Sequence, residues 1–373
     1  MSKRELIKQA RTWVIKLGSS LVTDNGRGLN RKKIADWVSQ IIRLQALGVD
    51  VVLVSSGAVA EGVKRLGMSG RPTAIHEQQA AAAVGQMGLI EAYERCFKAD
   101  NKHTAQVLLT HDDLSNRTRY LNAKSTLNTL LKMGVTPVIN ENDTVVTEEI
   151  CFGDNDTLGG LVANLIGAQA LVIMTDQDGL YDADPRSHSN AKLIHEASSH
   201  DDSLLQYAGG SGELGKGGMV TKLRAAKLAA RSGTLTAIVN GNTPNILLDL
   251  HDGKQLGTLL LPETQPIAAR KQWLASHLKA SGELELDEGA IKVLLNSGKS
   301  LLPVGVKAVR GNFQRGALVS CVDAGGRTIA RGLVNYDAEE ARQIISKSSD
   351  QILGILGYDG DHEMIHRDNL VLT

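Results

Sequence analysis

Two lysines and one crowded run of carboxylates and carboxamides are the residues in this chain whose types and spacing could do chemistry. Lys16 lies inside the apolar run Thr12 to Leu17, just before Gly18-Ser19-Ser20. A lysine in a buried strand is uncommon unless it is paired, and Asp156 is a candidate partner. Lys222 follows a glycine-rich stretch and sits about one turn inside the helix expected over 217–231; glycines and a helix N-terminus both suit a phosphate. The other reading of that stretch is a surface loop with a solvated lysine. Residues 136–160 read T-P-V-I-N-E-N-D-T-V-V-T-E-E-I-C-F-G-D-N-D-T-L-G-G. Between an apolar strand, Val135 to Ile139, and a helix starting near Asp156 lie Asn140, Glu141, Asn142, Asp143, Asp154, Asn155 and Asp156. So many polar groups beside buried elements are costly unless satisfied, and they could grip a small, polar, zwitterionic ligand. Asn and Asp also make turns and helix N-caps, so each cluster alone has a bland reading. Two clusters about ten residues apart, one at a strand's carboxyl end, argue for a site, because ligands of open α/β sheets bind there.

Other chemistries are disfavoured. Gly210-Ser211-Gly212-Glu213-Leu214-Gly215 matches a dinucleotide fingerprint but follows no apolar strand. Gly210 to Gly217 nearly matches a P-loop, but Gly217 stands where that loop needs Ser or Thr on the metal. The ten histidines form no H-x-x-H or H-E-x-x-H pattern. Ser55-Ser56-Gly57-Ala58 makes no nucleophile elbow. Cys96, Cys151 and Cys321 are far apart, so neither a zinc knuckle nor a disulfide framework is indicated.

The elements that must position these residues alternate. Apolar strands are expected at Thr12–Leu17, Val49–Val54, Ala105–Leu109, Val135–Ile139, Ala170–Met174 and, last, Leu235–Val239. Helices are expected over 31–47, 75–97, 119–133, 157–166 and 217–231, several with apolar residues at helical spacing. Continuous apolar strands separated by helices imply an α/β fold, a mostly parallel sheet sandwiched between helices. From about residue 282, short β-rich runs separated by glycine turns suggest a small β-rich second domain. The expected boundaries are a catalytic domain at 1–262, a linker at 263–281 with a helix at Ala268 to Lys279, the β-rich domain at 282–358 and a tail at 359–373.

Composition sets outer bounds. With 373 residues, 42% hydrophobic and 22% charged, the chain is an ordinary globular sequence of about two domains. Aromatics are only 3%, so Ala, Val, Leu and Ile must build the core. A formal net charge of zero demands neither nucleic acid nor an anionic membrane. Met1 to Arg11 has no apolar segment of the signal-peptide kind and no run is long enough to span a bilayer, so a cytoplasmic location is expected.

Six motifs taken together resemble the glutamate 5-kinase (gamma-glutamyl kinase) family, a branch of the amino-acid kinase fold. They are V-I-K-L-G-S-S (14–20), V-S-S-G-A-V-A-E-G (54–62), I-N-E-N-D (139–143), F-G-D-N-D-T-L (152–158), M-T-D-Q-D-G-L-Y (174–181) and G-K-G-G-M-V-T-K (215–222). Residues 282–358 are similar to the PUA domain found on many bacterial members. The resemblance implies transfer of a phosphoryl group from ATP, with Mg²⁺, to the side-chain carboxylate of L-glutamate. It implies that Lys16 and Lys222 contact the transferring group from opposite sides and that Asp156 orients them. Ser56, Asp143 and Asn155 match glutamate-binding positions. Lys16, Thr175, Asp176, Lys216, Gly217, Gly218, Met219, Val220, Thr221 and Lys222 match nucleotide-binding ones, although many relatives have Thr or Ser where this chain has Lys216. The metal ligands stay open. The resemblance further implies a homo-oligomer (dimer or tetramer), feedback inhibition by proline, and hand-off of the product to glutamyl-5-phosphate reductase; the stretch Thr144 to Gly153, between the two polar clusters, is then expected as the rim of the glutamate pocket and the first place to look for proline's effect.

Carbamate, uridylate, aspartate and N-acetylglutamate kinases are rivals within the fold, and the pairing of I-N-E-N-D with G-D-N-D, together with the PUA-like segment, favours glutamate. RNA binding is the rival from another class, through Lys307, Arg310, Arg315, Arg327 and Arg331. The same segment carries Asp287, Glu288, Glu339 and Glu340 and offers few aromatics for stacking, Phe313 and Tyr336 among them, which disfavours that reading.

Overall fold

Strands that read as unbroken apolar runs end up covered on both faces. The structure, a computed structural model, describes residues 3–23, 28–146, 155–208, 218–263, 280–358 and 360–373. Two units separate: Met1–Ser115 with Ala123–Pro266, and Asn116–Asn122 with Ile267–Thr373.

The strands of the first unit are β1 (Thr12–Leu17), β2 (Asp50–Ser55), β3 (Thr104–Leu109), β4 (Thr136–Glu141), β5 (Ala170–Thr175), β6 (Glu196–Ser198), β7 (Leu235–Asn240) and β8 (Thr258–Leu261). They form one sheet in the order β3-β4-β2-β1-β5-β7-β8-β6. Every pairing is parallel except that of β7 with β8. Leu235–Asn240 is therefore not the last strand of this sheet, contrary to expectation. With four and three residues, β8 and β6 are too short to carry a readable period.

The helices are α1 (Glu5–Gln9), α2 (Ser19–Val22), α3 (Arg31–Ala46), α4 (Ala58–Arg65), α5 (Ile75–Lys98), α6 (His111–Ser115), α7 (Arg117–Lys132), α8 (Asn155–Ile166), α9 (Met219–Ala230) and α10 (Ile246–His251). α3 shows the local logic. Asn30 caps it by accepting from Lys33 N at 3.1 Å, Ile34, Trp37, Val38, Ile41 and Leu44 are buried along one stripe, and Gly48 ends it at φ 82°.

Alternation along a strand assigns the faces. Trp13, Ile15 and Leu17 of β1 join the core beneath α3, α5 and α10. Lys16 must then point to the opposite face, where Gly159 of α8 lies against its Cβ and Cγ. The register Leu17↔Ser55, Val54↔Ile139, Leu17↔Met174 and Thr175↔Asn240 brings the carboxyl ends of β1, β2, β4, β5 and β7 to one edge.

In the second unit β9 (Gly282–Leu286), β10 (Val306–Gly311), β11 (Leu318–Val322), β12 (Thr328–Leu333) and β13 (Leu370–Leu372) form a sheet in the order β10-β9-β11-β12-β13. With them go α11 (Glu288–Ser297), α12 (Ala338–Ile344) and α13 (Ile352–Leu356). Leu284, Val306, Cys321, Tyr336 and Ile365 are among its core residues, and burial pushes the Cys321 thiol up to about 12. Residues 359–373, set apart as a tail in the sequence, include β13, which pairs with β12. The helix expected at Ala268 to Lys279 lies outside the described residues.

Candidate active site

The sheet edge collects Lys16, Asp156 and Lys222. Lys16 Nζ lies 2.5 Å from Asp156 Oδ1, and Lys222 Nζ lies 3.0 Å from Asp156 Oδ2. Asp156 is 1% exposed and each lysine 4%. Thr221 Oγ1 adds a hydrogen bond to Asp156 Oδ2 at 2.7 Å. Burial alone would raise the Asp156 carboxyl. The two ammonium groups and the hydrogen bonds from Lys16 and Thr221 outweigh it and hold the carboxyl below its usual range. Both lysines thus hold the one carboxylate in a buried place where charge acts strongly.

Small residues let this cluster form. A Cβ on Gly159 would lie 3.4 Å from the Lys16 Cβ, and one on Gly160 would lie 2.8 Å from the Ala225 carbonyl oxygen of α9. α8 therefore packs closely on both β1 and α9, and Asp156 in its first turn falls between lysines from each. That turn also bears the positive end of the helix dipole, which favours the carboxylate.

Beside this cluster is a run of amides. Asn155 Nδ2 donates to Ser56 Oγ at 2.8 Å and to Asn140 Oδ1 at 3.1 Å, and Asn140 Nδ2 donates to Gln86 Oε1 at 2.8 Å. Ser56 follows β2, Asn140 is in β4, Asn155 starts α8 and Gln86 is in α5, so four separate segments meet. Asp143, on the turn after β4, lines a cavity of about 380 Å³ together with Gln86, Met87, Glu141 and Thr144. Among the sequence-predicted positions the structure thus joins Ser56 to Asn155 directly, and Asp143 shares a cavity wall with Gln86. Sequence reasoning gave Asn140 no individual role and missed Gln86. A lone Gln in an Ala- and Gln-rich helix gives no periodic signal, and only its burial distinguishes it from Gln79.

Thr175 ends β5 and its Oγ1 donates to Asp176 Oδ1 at 3.1 Å, with Asp176 exposed at the same edge. Gly218 is exposed, Met219, Val220 and Thr221 are half-buried, and Lys222 is buried one turn into α9. Lys216 and Gly217 lie outside the described residues, as do Asp154, most of the stretch Thr144 to Gly153, and the two set-aside glycine motifs. No group of three or more His, Cys, Asp or Glu among the described residues could hold a metal ion. The Asp156 carboxylate is taken up by its lysines and threonine, so the described residues do not fit a protein-built magnesium cage.

In the second unit Arg310 pairs with Glu285 at 2.6 Å, Arg315 with Asp361 at 2.8 Å and Arg327 with Asp323 at 3.1 Å. These cations already face carboxylates within their own unit. No helix among the described residues is long and apolar enough to cross a membrane.

The amino acid kinase family matches residues 11–240 and the PUA domain residues 282–356. The chain is 60% identical over 370 residues to the glutamate 5-kinase of Thioalkalivibrio sulfidiphilus, covering 99% of each. It is 60% identical over 371 residues to that of Pseudomonas aeruginosa (strain UCBPP-PA14), covering 99% of this chain and 100% of the relative. A UMP kinase structure from Bacillus anthracis aligns with 68% of this chain and 97% of its own, at TM-score 0.47 and 16% identity. The chain belongs to the amino acid kinase family and, within it, to the glutamate 5-kinases, with a PUA domain at its C-terminal side.

Proposed function

We propose that the chain transfers the γ-phosphoryl group of ATP to the side-chain carboxylate of L-glutamate, giving L-glutamyl 5-phosphate and ADP, the first step of proline biosynthesis. The observation that carries the reading is the buried Lys16–Asp156–Lys222 cluster at the carboxyl edge of the sheet. A glutamate carboxylate, with a reference pKa of about 4.3, is already an anion at neutral pH, so the acceptor needs no general base. The barrier is the approach of an anion to a polyanion, and positioning with charge neutralisation must lower it. Lys16 and Lys222 supply the cations, and Asp156 keeps both ammonium groups on one point. The γ-carboxylate oxygen attacks γ-phosphorus, its bond to the ADP oxygen breaks, and ADP leaves with the electron pair.

Ser56, Asn155 and Asp143 take the amino-acid end of glutamate, the Asp143 carboxylate suiting its α-ammonium. Thr175, Asp176 and the segment 216–222 take the nucleotide, with Lys16 and Lys222 reaching its phosphates. Mg²⁺ accompanying the nucleotide would supply further neutralisation of charge on its phosphates. The acyl phosphate product is labile, which favours prompt hand-off to glutamyl-5-phosphate reductase. Proline, a cyclised relative of glutamate, fits the same polar cluster as a feedback inhibitor. A cytoplasmic homo-oligomer, dimer or tetramer, completes the reading, and light scattering of the purified chain would measure its mass.

The decisive experiment is ADP release measured with L-glutamate, L-aspartate, N-acetyl-L-glutamate, UMP and carbamate as acceptors. Glutamate alone should support rapid release at low millimolar concentration. Faster release with any of the others would overturn the assignment.

A further inference from the structure

The amides beside the lysine cluster have a direction. Asn155 donates both of its side-chain hydrogens, to Ser56 Oγ and Asn140 Oδ1. Its own Oδ1 is buried and has no hydrogen-bond partner among the described residues. Asn140 accepts with Oδ1 and so must turn its Nδ2 the other way, where Gln86 Oε1 receives it. Gln86 is 7% exposed, and its Nε2 is buried without a partner among the described residues. A carboxamide has one accepting and one donating end. Fixing the orientation of one amide in such a row therefore fixes the next. If Asn155 turned over, its Oδ1 would face Asn140 Oδ1, two acceptors in contact, and its NH₂ would replace the oxygen on the ligand side.

Gln86 is the more deeply buried end of the row, and its backbone is held in place. Its neighbour Gly85 sits where a Cβ would come within 1.8 Å of the Ala58 carbonyl oxygen, so α5 presses directly on α4 beside Ser56. Asn155 and Ser56, at the other end, are half-buried.

We infer that Gln86 is a positioning residue that, through Asn140, sets the amide polarity of Asn155, so that Asn155 Oδ1 is presented to the α-ammonium of an amino acid while the Ser56 hydroxyl donates to its α-carboxylate. This rests on Ser56 and Asn155 serving the amino-acid substrate, as proposed above. Gln86 lines the same cavity as Asp143, and the part assigned to it is the orientation of Asn140 rather than a contact with the substrate. What it contributes is a choice between an accepting and a donating surface, and only the accepting surface suits a cationic nitrogen.

Two near-isosteric variants separate this relay from simpler roles. Q86M removes the acceptor for Asn140 and should raise the KM for glutamate about tenfold or more, with kcat and the KM for ATP within about twofold. Q86E keeps an acceptor towards Asn140 while losing the Nε2 donor, and should restore a glutamate KM within about threefold of wild type. In an Asn155→Ala background, Q86M should change kcat/KM for glutamate by less than about twofold, because the group it orients is gone. If Q86E is as impaired as Q86M, Gln86 acts through its N–H or its packing and the relay is wrong. If Q86M leaves the glutamate KM unchanged, the relay is also wrong. Should Q86M fail to fold, Asn140→Asp and Asn140→Leu ask the same question one amide along: the aspartate still accepts from Asn155 and should keep the KM that the leucine loses. Wild-type protein that releases no ADP with glutamate would overturn the assigned reaction itself, whereas active wild type with an indifferent Gln86 would overturn the relay alone.

Discussion

Lys16 and Lys222, far apart in the sequence, bond to different oxygens of the same Asp156 carboxylate at 2.5 and 3.0 Å. The carboxylate is thus a clamp that fixes the spacing of two ammonium groups. Removing either lysine leaves an intact ion pair, whereas removing the aspartate leaves two buried cations without their shared counter-charge. Lys16→Ala and Lys222→Ala should each fold and lower kcat by about 10²- to 10³-fold, the scale of a lost charge-stabilising group. Steady-state kinetics with kcat within about twofold of wild type would show that the cluster is structural only.

Asp156 should matter to stability in a pH-dependent way. Its folded-state carboxyl lies below its ordinary value, while the unfolded chain should titrate near the reference value of about 3.9. The unfolded state then binds the proton first as pH falls. The stabilisation is complete above the unfolded pKa and is lost as pH drops through the folded one. Urea melts of wild type and Asp156→Asn from pH 7 to pH 3 should show a gap that is constant near neutrality and narrows below about pH 4. At pH 7 the gap should be about 3–5 kcal/mol, the usual cost of breaking a buried ion pair from one side. A gap independent of pH would mean that the Asp156 charge contributes nothing to folding.

Asp143 offers a test on the amino-acid side. It lines the cavity that Gln86 also lines, away from the lysine clamp. Asp143→Ala should raise the KM for glutamate at least about tenfold while moving the KM for ATP by less than about twofold, as expected for a group that binds one substrate only. Equal rises for both substrates would place the amino acid elsewhere.

The sequence made the lysines legible because each breaks a local rule: Lys16 interrupts a buried strand, and Lys222 follows a glycine-rich loop. Asp156 was legible through the crowding of Asn155 and Asp156 against a helix start. The parallel sheet could be read from its unbroken apolar runs, β2 above all. β8 could not, because four residues of Thr and Leu carry no period, and its antiparallel direction depends on a chain reversal made in space. Gln86 was hidden for a different reason. Its role depends on meeting Asn140 across 54 residues of chain, and nothing in the helix surrounding it marks that partner. Ser56 could be placed after a strand, but its bond to Asn155 is a fact of sheet register, which pairs Leu17 with Ser55 and Val54 with Ile139.

The contact of α4 with α5 should be as sensitive as any side chain in the site. A Cβ added at Gly85 would lie 1.8 Å from the Ala58 carbonyl oxygen and 2.4 Å from Gly62 N, both backbone atoms that cannot swing aside. Gly85→Ala must therefore push α5 off α4, and overpacking of this kind costs about 1–3 kcal/mol. The displacement acts where Gln86 meets Asn140 and where α4 leaves Ser56, not at the lysine clamp. Alongside the lower melting temperature, Gly85→Ala should raise the KM for glutamate more than it lowers kcat. Gly134→Ala, at a helix end where no atom of the described residues lies within 4 Å of the added carbon, carries only the strain of its positive φ, 72°. It serves as the control, because it should lower the melting temperature and leave the glutamate KM alone. A Gly85→Ala protein with wild-type melting temperature and glutamate KM would show that the two helices can part without disturbing the amide row.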